Sequence, residues 1–586
     1  MGLFQRAIET YDAMAHLVGV EQEGKETLAP VGHIMAKATV MITIDRDGNF
    51  ISAQSVEQKI TIPVTEESAG RTSGPAAHCL CDYFSYVGTD VEKKHSLYLA
   101  QLQKWVDSPY THPKVEAVLR YAQKGTVHQD METAGLKAEE KDMICWSVIG
   151  FGDTDGPVWT DRTVQKRYKD FYLSEIIERE RVLCMVTGEE TVPAIQHLKG
   201  VVPINGNARL ISSNDTTNFT YRGRFLNDTE SLTVGYEASQ KAHNALKWLV
   251  ATQGVRQGGR TFLCWNPKGK QVFDPFAVLC NAESKPADLE DYRQKLFETL
   301  TMCRQAIPEQ EAVVFCAFDA ATTGRLSVDY YNEFSSKDFF DRLQHWDTTC
   351  VWYDGFGGVG APSLKRIVLN AFGLPRGAKS PELDDRVFAQ QMQRLVLCRV
   401  EKKAFPTDVM RAIVQKAGNM QIYTAGASRN TLLATACAVV KKYRFDRFKE
   451  EWSLALEKDN QDRSYQFGRL LAVLDKAEGD VLRKRGEDRD TNALRMQSVF
   501  VRRPNYAAKV ILDQLKTAYY PRMTAGTRAF YEQLIGEIYE KISDCCATEN
   551  LNAPLKETYL LGYYLQRNDL YKKKENHENT EESENV

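Results

Sequence analysis

The spacing of apolar residues changes near residue 375, and this change most constrains the fold. Before that point strand and turn patterns prevail, as in TVMITIDRDGNFISA (39–53), where two β-rich runs flank Asp47-Gly48. An Asp-Gly pair between such runs strongly indicates a hairpin, because its turn needs a left-handed backbone. A second hairpin is predicted over 311–334 and a helix over 238–254. A mixed α/β region with β-hairpins is therefore expected for residues 1–375.

After residue 385 the apolar spacing becomes helical. Residues at i, i+3, i+4 and i+7 share one face of a helix, and several segments place apolar residues at that spacing. These stripes are Phe467, Leu470, Leu471 and Leu474; Ala508, Ile511, Leu512 and Leu515; and Phe530, Leu534, Ile538 and Ile542. The fold class predicted is α+β, with a helical connecting region at 376–450, an all-α bundle at 451–570 and a polar tail at 571–586 expected to be disordered.

Length and composition limit the class of protein. A chain of 586 residues exceeds the size at which one core stops growing, so about two to four domains are expected. No stretch approaches about 18 uninterrupted apolar residues, and the N-terminus carries acidic residues where a secretory signal is apolar. The 13 cysteines include no C-x-x-C pair, which is typical of reduced thiols. We therefore expect a cytoplasmic protein with no membrane association.

One glycine-rich segment raises the question of phosphate binding. YDGFGGVGAPSLKR (353–366) holds a G-x-G-x-x-G pattern at Gly355, Gly357 and Gly360. Pro362 follows where the first helical turn is expected, and proline has no N–H to donate to a phosphate. A strand-to-helix turn with Pro362 starting the helix is the better interpretation. An enzyme that uses a nucleotide at this loop is kept as an alternative function.

Other patterns for catalysis are missing from the sequence. There is no P-loop, no H-E-x-x-H, no G-x-S-x-G and no zinc-deaminase pattern. The ten histidines are dispersed, so no compact ligand set is indicated. We expect a protein that is not an enzyme, with no catalytic residues, no metal and no cofactor.

Six segments resemble, in the same order, the large-subunit family of type I-C CRISPR interference (Cascade) complexes. They are VLCMVTGEETVPAIQHLKGV (182–201), GNARLISSND (206–215), FDAATTGRLSVDYYNEFSSKDFFDRLQHW (318–346), APSLKRIVLNAFG (361–373), PTDVMRAIVQKAG (406–418) and SYQFGRLLAVLDKAE (464–478). The resemblance extends from about residue 39 to about residue 565. Two segments depart from the family: RTSGPAAHCLCDYFSYVG (71–88) lacks the Pro-Asn-Phe of R-x-S-G-x-x-P-N-F, and SLTVGYEAS (231–239) replaces N-A-P-V-S.

The resemblance implies a binding role in antiviral defence. Such a subunit lies at the 5′ end of the CRISPR guide RNA, recognises the protospacer-adjacent motif (PAM) on double-stranded target DNA and aids formation of the R-loop. The implied partners are the guide RNA, both DNA strands, the Cascade backbone and guide-processing subunits, small subunits, which the bundle at 451–570 resembles, and a helicase-nuclease recruited later. Because base pairing recognises the target sequence, the protein needs only a short motif reader and charged grooves. A purely structural subunit of the ribonucleoprotein complex is a further alternative.

Seven polar residues are candidates for recognising the DNA motif. They are Arg71, Thr72, Ser73, Gln196, Lys199, Asn214 and Asn218. RTSG (71–74) sets polar side chains before a flexible glycine, so they could enter a groove, whereas a plain polar turn is the alternative. The segment with Gln196 and Lys199 is among the most family-like, and asparagine side chains can bond base edges.

Ten basic residues are candidates for binding the DNA backbone or a single strand. They are Arg222, Arg224, Lys268, Lys270, Arg483, Lys484, Arg485, Arg489, Arg502 and Arg503. NFTYRGRF (218–225) interleaves aromatic and basic residues, which suits base stacking, although a strand with alternating faces is equally consistent. NPKGK (266–270) is expected to be a hairpin tip. The run at 483–503 could form a stripe along a displaced strand, or a solvated loop between helices.

Overall fold

Two compact units share the chain in this computed structural model. The mixed unit comprises Met1–Val272 and Glu311–Phe334, and the helical unit comprises Phe273–Gln310 and Ser335–Val586. The structure describes residues 1–71, 74–137, 139–204, 206–212, 232–277, 279, 286–320, 322, 324–376, 379–423, 426–545 and 550–583, with backbone alone at 379–380 and 572–583. The α+β class is confirmed. The functional divisions at 375, 450 and 570 stay predictions, as does a disordered tail, although the backbone is helical to Ser583.

The first sheet of the mixed unit is built on the predicted Asp47-Gly48 hairpin. Strands β1 (His33–Asp45) and β2 (Phe50–Pro63) pair antiparallel, and Gly48 takes a φ of 76° in the turn. A Cβ there would lie 2.9 Å from the carbonyl oxygen of Ala117, so glycine is required for space as well as for conformation. Strands β3 (Asp82–Tyr83), β4 (Met143–Ile149) and β5 (Gly156–Pro157) complete the sheet in the order β2-β1-β4-β3, with β5 on β4.

Parallel pairing of β1 with β4 requires a long crossover, and helices supply it. The helices of the mixed unit are α1 (Leu3–Ala13), α2 (Glu66–Gly70), α3 (Phe84–Val87), α4 (Glu92–Val106), α5 (Pro113–Lys124), α6 (Val127–Thr133), α7 (Arg162–Ile176) and α8 (Tyr236–Gln253). Trp105, Trp146 and Tyr168 are fully buried in the core between sheet and helices. Helix α8 is the one predicted over 238–254, and Gly254 follows its last residue as the C-cap, as expected.

A second sheet completes the mixed unit. Its order is β11-β10-β9-β8, and a separate pair joins β6 to β7. The strands are β6 (Val182–Leu183), β7 (Glu190–Thr191), β8 (Val255–Gln257), β9 (Arg260–Trp265), β10 (Ala312–Asp319) and β11 (Ser327–Ser335). Because β10 and β11 are neighbours, the second predicted hairpin is confirmed within the described residues.

The helical unit consists mainly of helices, and its described residues include two short strand pairs. Its helices are α9 (Leu289–Ala306), α10 (Ser336–Thr349), α11 (Leu364–Phe372), α12 (Asp385–Glu401), α13 (Thr407–Ala417), α14 (Ala427–Phe448), α15 (Arg463–Lys484), α16 (Asn492–Arg495), α17 (Gln497–Arg502), α18 (Pro504–Gln514), α19 (Ala525–Cys545) and α20 (Tyr559–Ser583). Its strands are β12 (Trp352–Tyr353), β13 (Val359–Gly360), β14 (Leu374–Arg376) and β15 (Lys379–Glu382). None of the helices in the described ranges is long and apolar enough to cross a bilayer.

Helix α15 carries the apolar stripe predicted for 467–474, and all four of its residues are buried. It crosses α20 at very short range: a Cβ on Gly468 would lie 1.9 Å from the carbonyl oxygen of Tyr559, and one on Gly562 would lie 2.1 Å from that of Tyr465. The prediction of Phe530 as a core residue is wrong, because its side chain is 43% exposed while Tyr531 is buried. The buried face of α19 is thus rotated by one residue at its start.

The glycine-rich segment forms a hairpin rather than a strand-to-helix turn. Strands β12 and β13 pair antiparallel, and the Asp354 carboxylate accepts the N–H groups of Phe356 (2.7 Å) and Gly358 (3.1 Å). The prediction that Pro362 starts the helix is wrong: α11 begins at Leu364, and its N-cap is Ser363, whose hydroxyl accepts a backbone N–H. A side chain that already satisfies these N–H groups with a negative charge makes the loop a poor phosphate cradle.

Candidate nucleic-acid interface

Three polar side chains meet at the backbone that enters the RTSG segment. Helix α2 ends at Gly70, and the amine of Lys199 donates to the carbonyl of Arg71 at 2.9 Å. The guanidinium of Arg209 lies 3.3 Å from the carbonyl oxygen of Gly70 and donates to it. The side-chain oxygen of Gln196 lies so close that a Cβ on Gly70 would be 2.4 Å from it. Residues 70–74 are named the RTSG loop below, and its entry is held from three sides.

Arg71, the first residue of the RTSG sequence, is bonded to residues that follow it in the chain. Its guanidinium makes two hydrogen bonds to the Asp82 carboxylate, at 2.5 and 2.9 Å, and a third to the carbonyl of Ala76 at 2.6 Å. It also lies over the ring of Tyr86, 4.6 Å from its centroid. Burial opposes the charge, but the hydrogen bonds and charge of Asp82 outweigh it and raise the pKa of Arg71. This guanidinium is committed to the fold, and its contact with a base stays a prediction.

The segment that carries Gln196 and Lys199 is tied to helix α2 by one buried carboxylate. Glu66 accepts the backbone N–H groups of Ile195 at 2.8 Å and of Gln196 at 3.2 Å through the same oxygen. Its other oxygen pairs with Arg179 at 2.6 Å. The helix and the segment therefore form one hydrogen-bonded support under the RTSG loop.

Two cations at this support differ from Arg71 and Arg179, each of which pairs with a carboxylate. Within the part of the chain that the structure describes, neither Lys199 nor Arg209 has an acidic side chain in ion-pair distance. Burial, followed by the charges of Arg209 and Arg71, lowers the pKa of Lys199. An arrangement of partly buried cations without acids favours an anionic ligand.

The NPKGK segment is a turn after β9 and not the hairpin tip that the sequence suggested. The amines of Lys268 and Lys270 both contact Glu311, at 3.2 and 3.0 Å. Burial would raise the pKa of Glu311, but the hydrogen bonds from both lysines outweigh it and lower that pKa. The two lysines share one carboxylate, so their combined charge is only partly neutralised.

The basic run of the helical unit divides into paired and unpaired residues. Arg485 pairs with Glu487 at 2.7 Å, and Arg489 contacts the same side chain at 3.1 Å. Four exposed residues have no ion pair among the residues with described side chains: Lys484, Arg495, Arg502 and Arg503. Arg483 is also exposed, and its closest acid, Asp480, is 3.9 Å away. The run lies along the end of α15, the following loop and α16–α17, so its free charges come from several elements.

Arg502 also lines a groove in the helical unit. The groove has a volume of about 890 Å³ and lies between α13, α17 and α20. Exposed Arg411 lines it as well, whereas the amine of Lys416 is bonded to the carbonyl of Gly373. Arginine is a residue type that contacts phosphate backbones, and the acidic side chain of Glu557 lines the same groove.

Six of the predicted site residues lie outside the described residues. They are Thr72, Ser73, Asn214, Asn218, Arg222 and Arg224. Of the others, the structure brings Arg71, Gln196 and Lys199 together, and it sets Lys268 and Lys270 at a different turn.

The sequence analysis did not find Arg209 and Lys247, nor Asp82 as the partner of Arg71. Arg209 occurs in a family-like segment, but no spacing distinguishes it from a surface arginine. Asp82 lies in a two-residue strand, and no pattern links it to Arg71. Lys247 lies on α8, and its role is taken up below.

Among the described residues, no group of three or more His, Cys, Asp or Glu is placed to hold a metal ion. The features that do stand out are an α+β fold and partly buried cations around residues 70 and 71. Comparison with protein families gives the class of protein: this is a CRISPR-associated protein.

More particularly, the chain belongs to the CRISPR-associated protein Cas_Csd1 family, whose model matches residues 9–571. The match confirms the resemblance to a large Cascade subunit. No curated protein matches the chain.

Proposed function

We propose that this protein is the large subunit of a type I-C Cascade complex and that its RTSG loop recognises the PAM on double-stranded target DNA. The observation that carries the proposal is the convergence of Gln196, Lys199 and Arg209 on the backbone of residues 70 and 71. Discrimination between bases requires donors and acceptors held within about 0.5 Å of their places. Because the three side chains meet at residues 70 and 71, which lead into the loop, this site suits the requirement better than a solvated charged segment does.

The proposed role needs no catalytic centre in this chain. The guide RNA recognises the target by base pairing, and the large subunit recognises only the short motif and binds strands. Cascade backbone and guide-processing subunits, small subunits and a cytoplasmic setting belong to the same proposal. So does recruitment of a helicase-nuclease once the R-loop has formed.

Duplex opening is assigned to the basic residues of the helical unit. Arg483, Lys484, Arg502 and Arg503 are exposed, and such residues bind a displaced strand independently of its sequence by releasing counterions. Charge reversal at Arg483, Lys484 and Arg502 should weaken opening, measured with a fluorescent base analogue in the target, and leave motif preference unaltered. A changed motif preference would contradict this division of roles.

The alternative of a nucleotide-dependent enzyme predicts nucleotide binding that Gly357→Val abolishes. The position of the Asp354 carboxylate in that loop opposes it, because like charges repel. A purely structural subunit would contact guide RNA and protein only, and its complex would show no motif preference of its own.

Binding titrations of the assembled complex on duplexes that differ only in the flanking motif test the proposal. Ser73→Ala or Asn214→Ala should reduce the preference, since each base contact contributes about 1–3 kcal/mol. Arg222→Ala or Arg224→Ala should weaken binding to all duplexes alike, as loss of a phosphate contact does. If a complex lacking residues 1–375 still discriminates between motifs, the proposal is wrong.

A further inference from the structure

One face of helix α8 lies against the segment that supports the RTSG loop. Ser239, His243 and Lys247 follow each other at intervals of four residues and therefore lie on this face. The ring of His197 contacts the first two: its Nδ1 is 2.8 Å from the hydroxyl oxygen of Ser239, and its centroid is 5.8 Å from that of His243. Lys247 follows on this face one turn later, and the charge of Lys199, two residues beyond His197, acts on it.

Lys247 is half-buried without an acidic partner among the residues that the structure describes. Burial, and then the charge of Lys199, lowers its pKa to about 8. His197 adds no charge at neutral pH, since burial and the charge of Arg209 lower its pKa to about 4. His243 is uncharged at neutral pH as well, because burial is the main cause that lowers its pKa to about 3. The two histidines therefore add no charge beside Lys247 and Lys199.

Two other lysines of the mixed unit, unlike Lys247, pair with a carboxylate. Lys114 is almost fully buried and pairs with Asp161 at 2.7 Å. Lys241, on α8 itself, pairs with Asp12 at 2.8 Å. Burial, and then the charge of Lys199, disfavours the charged form of Lys247, and an anion beside the two amines would favour that form.

We propose that Lys199, Arg209 and Lys247 bind a phosphodiester group of a nucleic-acid backbone beside the RTSG loop. This inference rests on the proposed function and assigns a ligand to that site. Contacts with phosphates fix the register of a protein on its nucleic acid, whereas contacts with bases specify the sequence. The phosphodiester would therefore position the strand while the loop recognises the motif.

The first test compares Lys247→Gln with the matched control Lys241→Gln in the assembled complex. Titrations with target duplex at several salt concentrations should show the slope of log K against log salt reduced by about 0.9 for Lys247→Gln alone. Its affinity should fall about tenfold, as expected for one charged hydrogen bond, and equally for all motifs. If slope and affinity match the control, DNA is not the source of the phosphodiester.

Duplexes that each carry one neutral methylphosphonate, at successive positions flanking the motif, identify which phosphodiester is bound when their affinities are compared. One position should weaken the wild-type complex and have no further effect on Lys247→Gln. The phosphodiester can also belong to guide RNA, in which case Lys247→Gln complexes would be purified with less guide RNA than Lys241→Gln complexes. Unchanged DNA affinity together with unchanged guide RNA content would overturn the proposal.

Thermal unfolding of the free protein tests whether Lys247 only stabilises the fold. Lys247→Met removes the charge and keeps the aliphatic chain, so its Tm should equal or exceed that of wild type because repulsion from Lys199 is lost. A clear fall in Tm, without any change in nucleic-acid binding, would contradict the proposal. A different outcome would separate the two proposals. If Lys247→Gln weakens nucleic-acid binding but Ser73→Ala keeps the motif preference, the assignment of the RTSG loop is refuted and the phosphodiester site is supported.

Discussion

Arg71 illustrates how one side chain can support a site without touching its ligand. The Asp82 carboxylate is fully buried, and the Arg71 guanidinium is its only cation within ion-pair distance in the described ranges. Removing one partner of such a pair leaves an uncompensated buried charge. Arg71→Ala should therefore lower the free energy of unfolding by about 3–5 kcal/mol, measured by urea denaturation.

The matched control for this prediction is Arg46→Ala. Arg46 and Asp47 form a wider pair at 3.7 Å, and both side chains are mostly exposed, so the loss should stay below about 1 kcal/mol. Equal effects of the two substitutions would show that the Arg71 pair does not stabilise the loop.

At the scale of elements, the crossing of α15 and α20 depends on glycine. Gly468→Ala would place a Cβ 1.9 Å from a backbone carbonyl oxygen, which cannot move without shifting the helix. We expect a loss of about 3 kcal/mol or more in the free energy of unfolding of the helical unit. Gly536→Ala is the control, since the position on α19 is exposed with nothing within 4 Å of the added methyl group.

Replacing glycine within an exposed helix should stabilise it by about 0.5–1 kcal/mol, so the two glycine substitutions should act in opposite directions. Both can be followed by helical circular dichroism during denaturation. Destabilisation by both, to a similar extent, would mean that the close crossing is not formed in solution.

Local sequence patterns predicted those elements whose structure depends only on neighbouring residues. The Asp47-Gly48 hairpin, helix α8 and the α15 stripe follow from turn chemistry and helical periodicity. Phe530 was assigned to the wrong face because Tyr531 beside it is also a large aromatic residue, and only the packing of α19 against its neighbours selects between them. Pro362 suits the first turn of a helix, but the hydroxyl of Ser363 provides the better cap.

At the scale of the whole molecule, three buried histidines and the partly buried His197 make the mixed unit sensitive to acid. Burial lowers the pKa of His33, His78 and His197 to about 4 and, with the charge of His197, that of His243 to about 3. In the unfolded chain the pKa of a histidine is about 6.5. Between the folded and the unfolded pKa values, the unfolded state therefore binds more protons than the folded state. Stability is therefore lost as pH falls below 6.5.

Each of these histidines should contribute on the order of 1 kcal/mol per pH unit over that range. Hydrogen exchange at pH 7 and pH 5, corrected for intrinsic rates, should show protection falling in the mixed unit. His33→Gln should reduce this dependence. Protection that is equal at both pH values would contradict the burial of neutral histidines.

The candidate site could be predicted only in part from the sequence. The family resemblance was confirmed, and Gln196 and Lys199 lie beside the loop that contains Arg71. Arg209 and Lys247 could not have been found, because they reach the site from segments far apart in the chain. Their significance depends on the absence of nearby acids in the described structure, and a linear pattern carries no such information.

The most direct test of the central claim changes the support of the RTSG loop without altering any charge. Gly70→Ala would push against the side chains of Gln196 and Arg209, whereas at Gly206, the control, an added methyl group meets nothing within 4 Å. Assembled complexes should be titrated with a library of flanking motifs. We expect Gly70→Ala to narrow the spread of Kd among motifs by about tenfold, while Gly206→Ala leaves it intact. A full spread of Kd retained by Gly70→Ala would contradict the account.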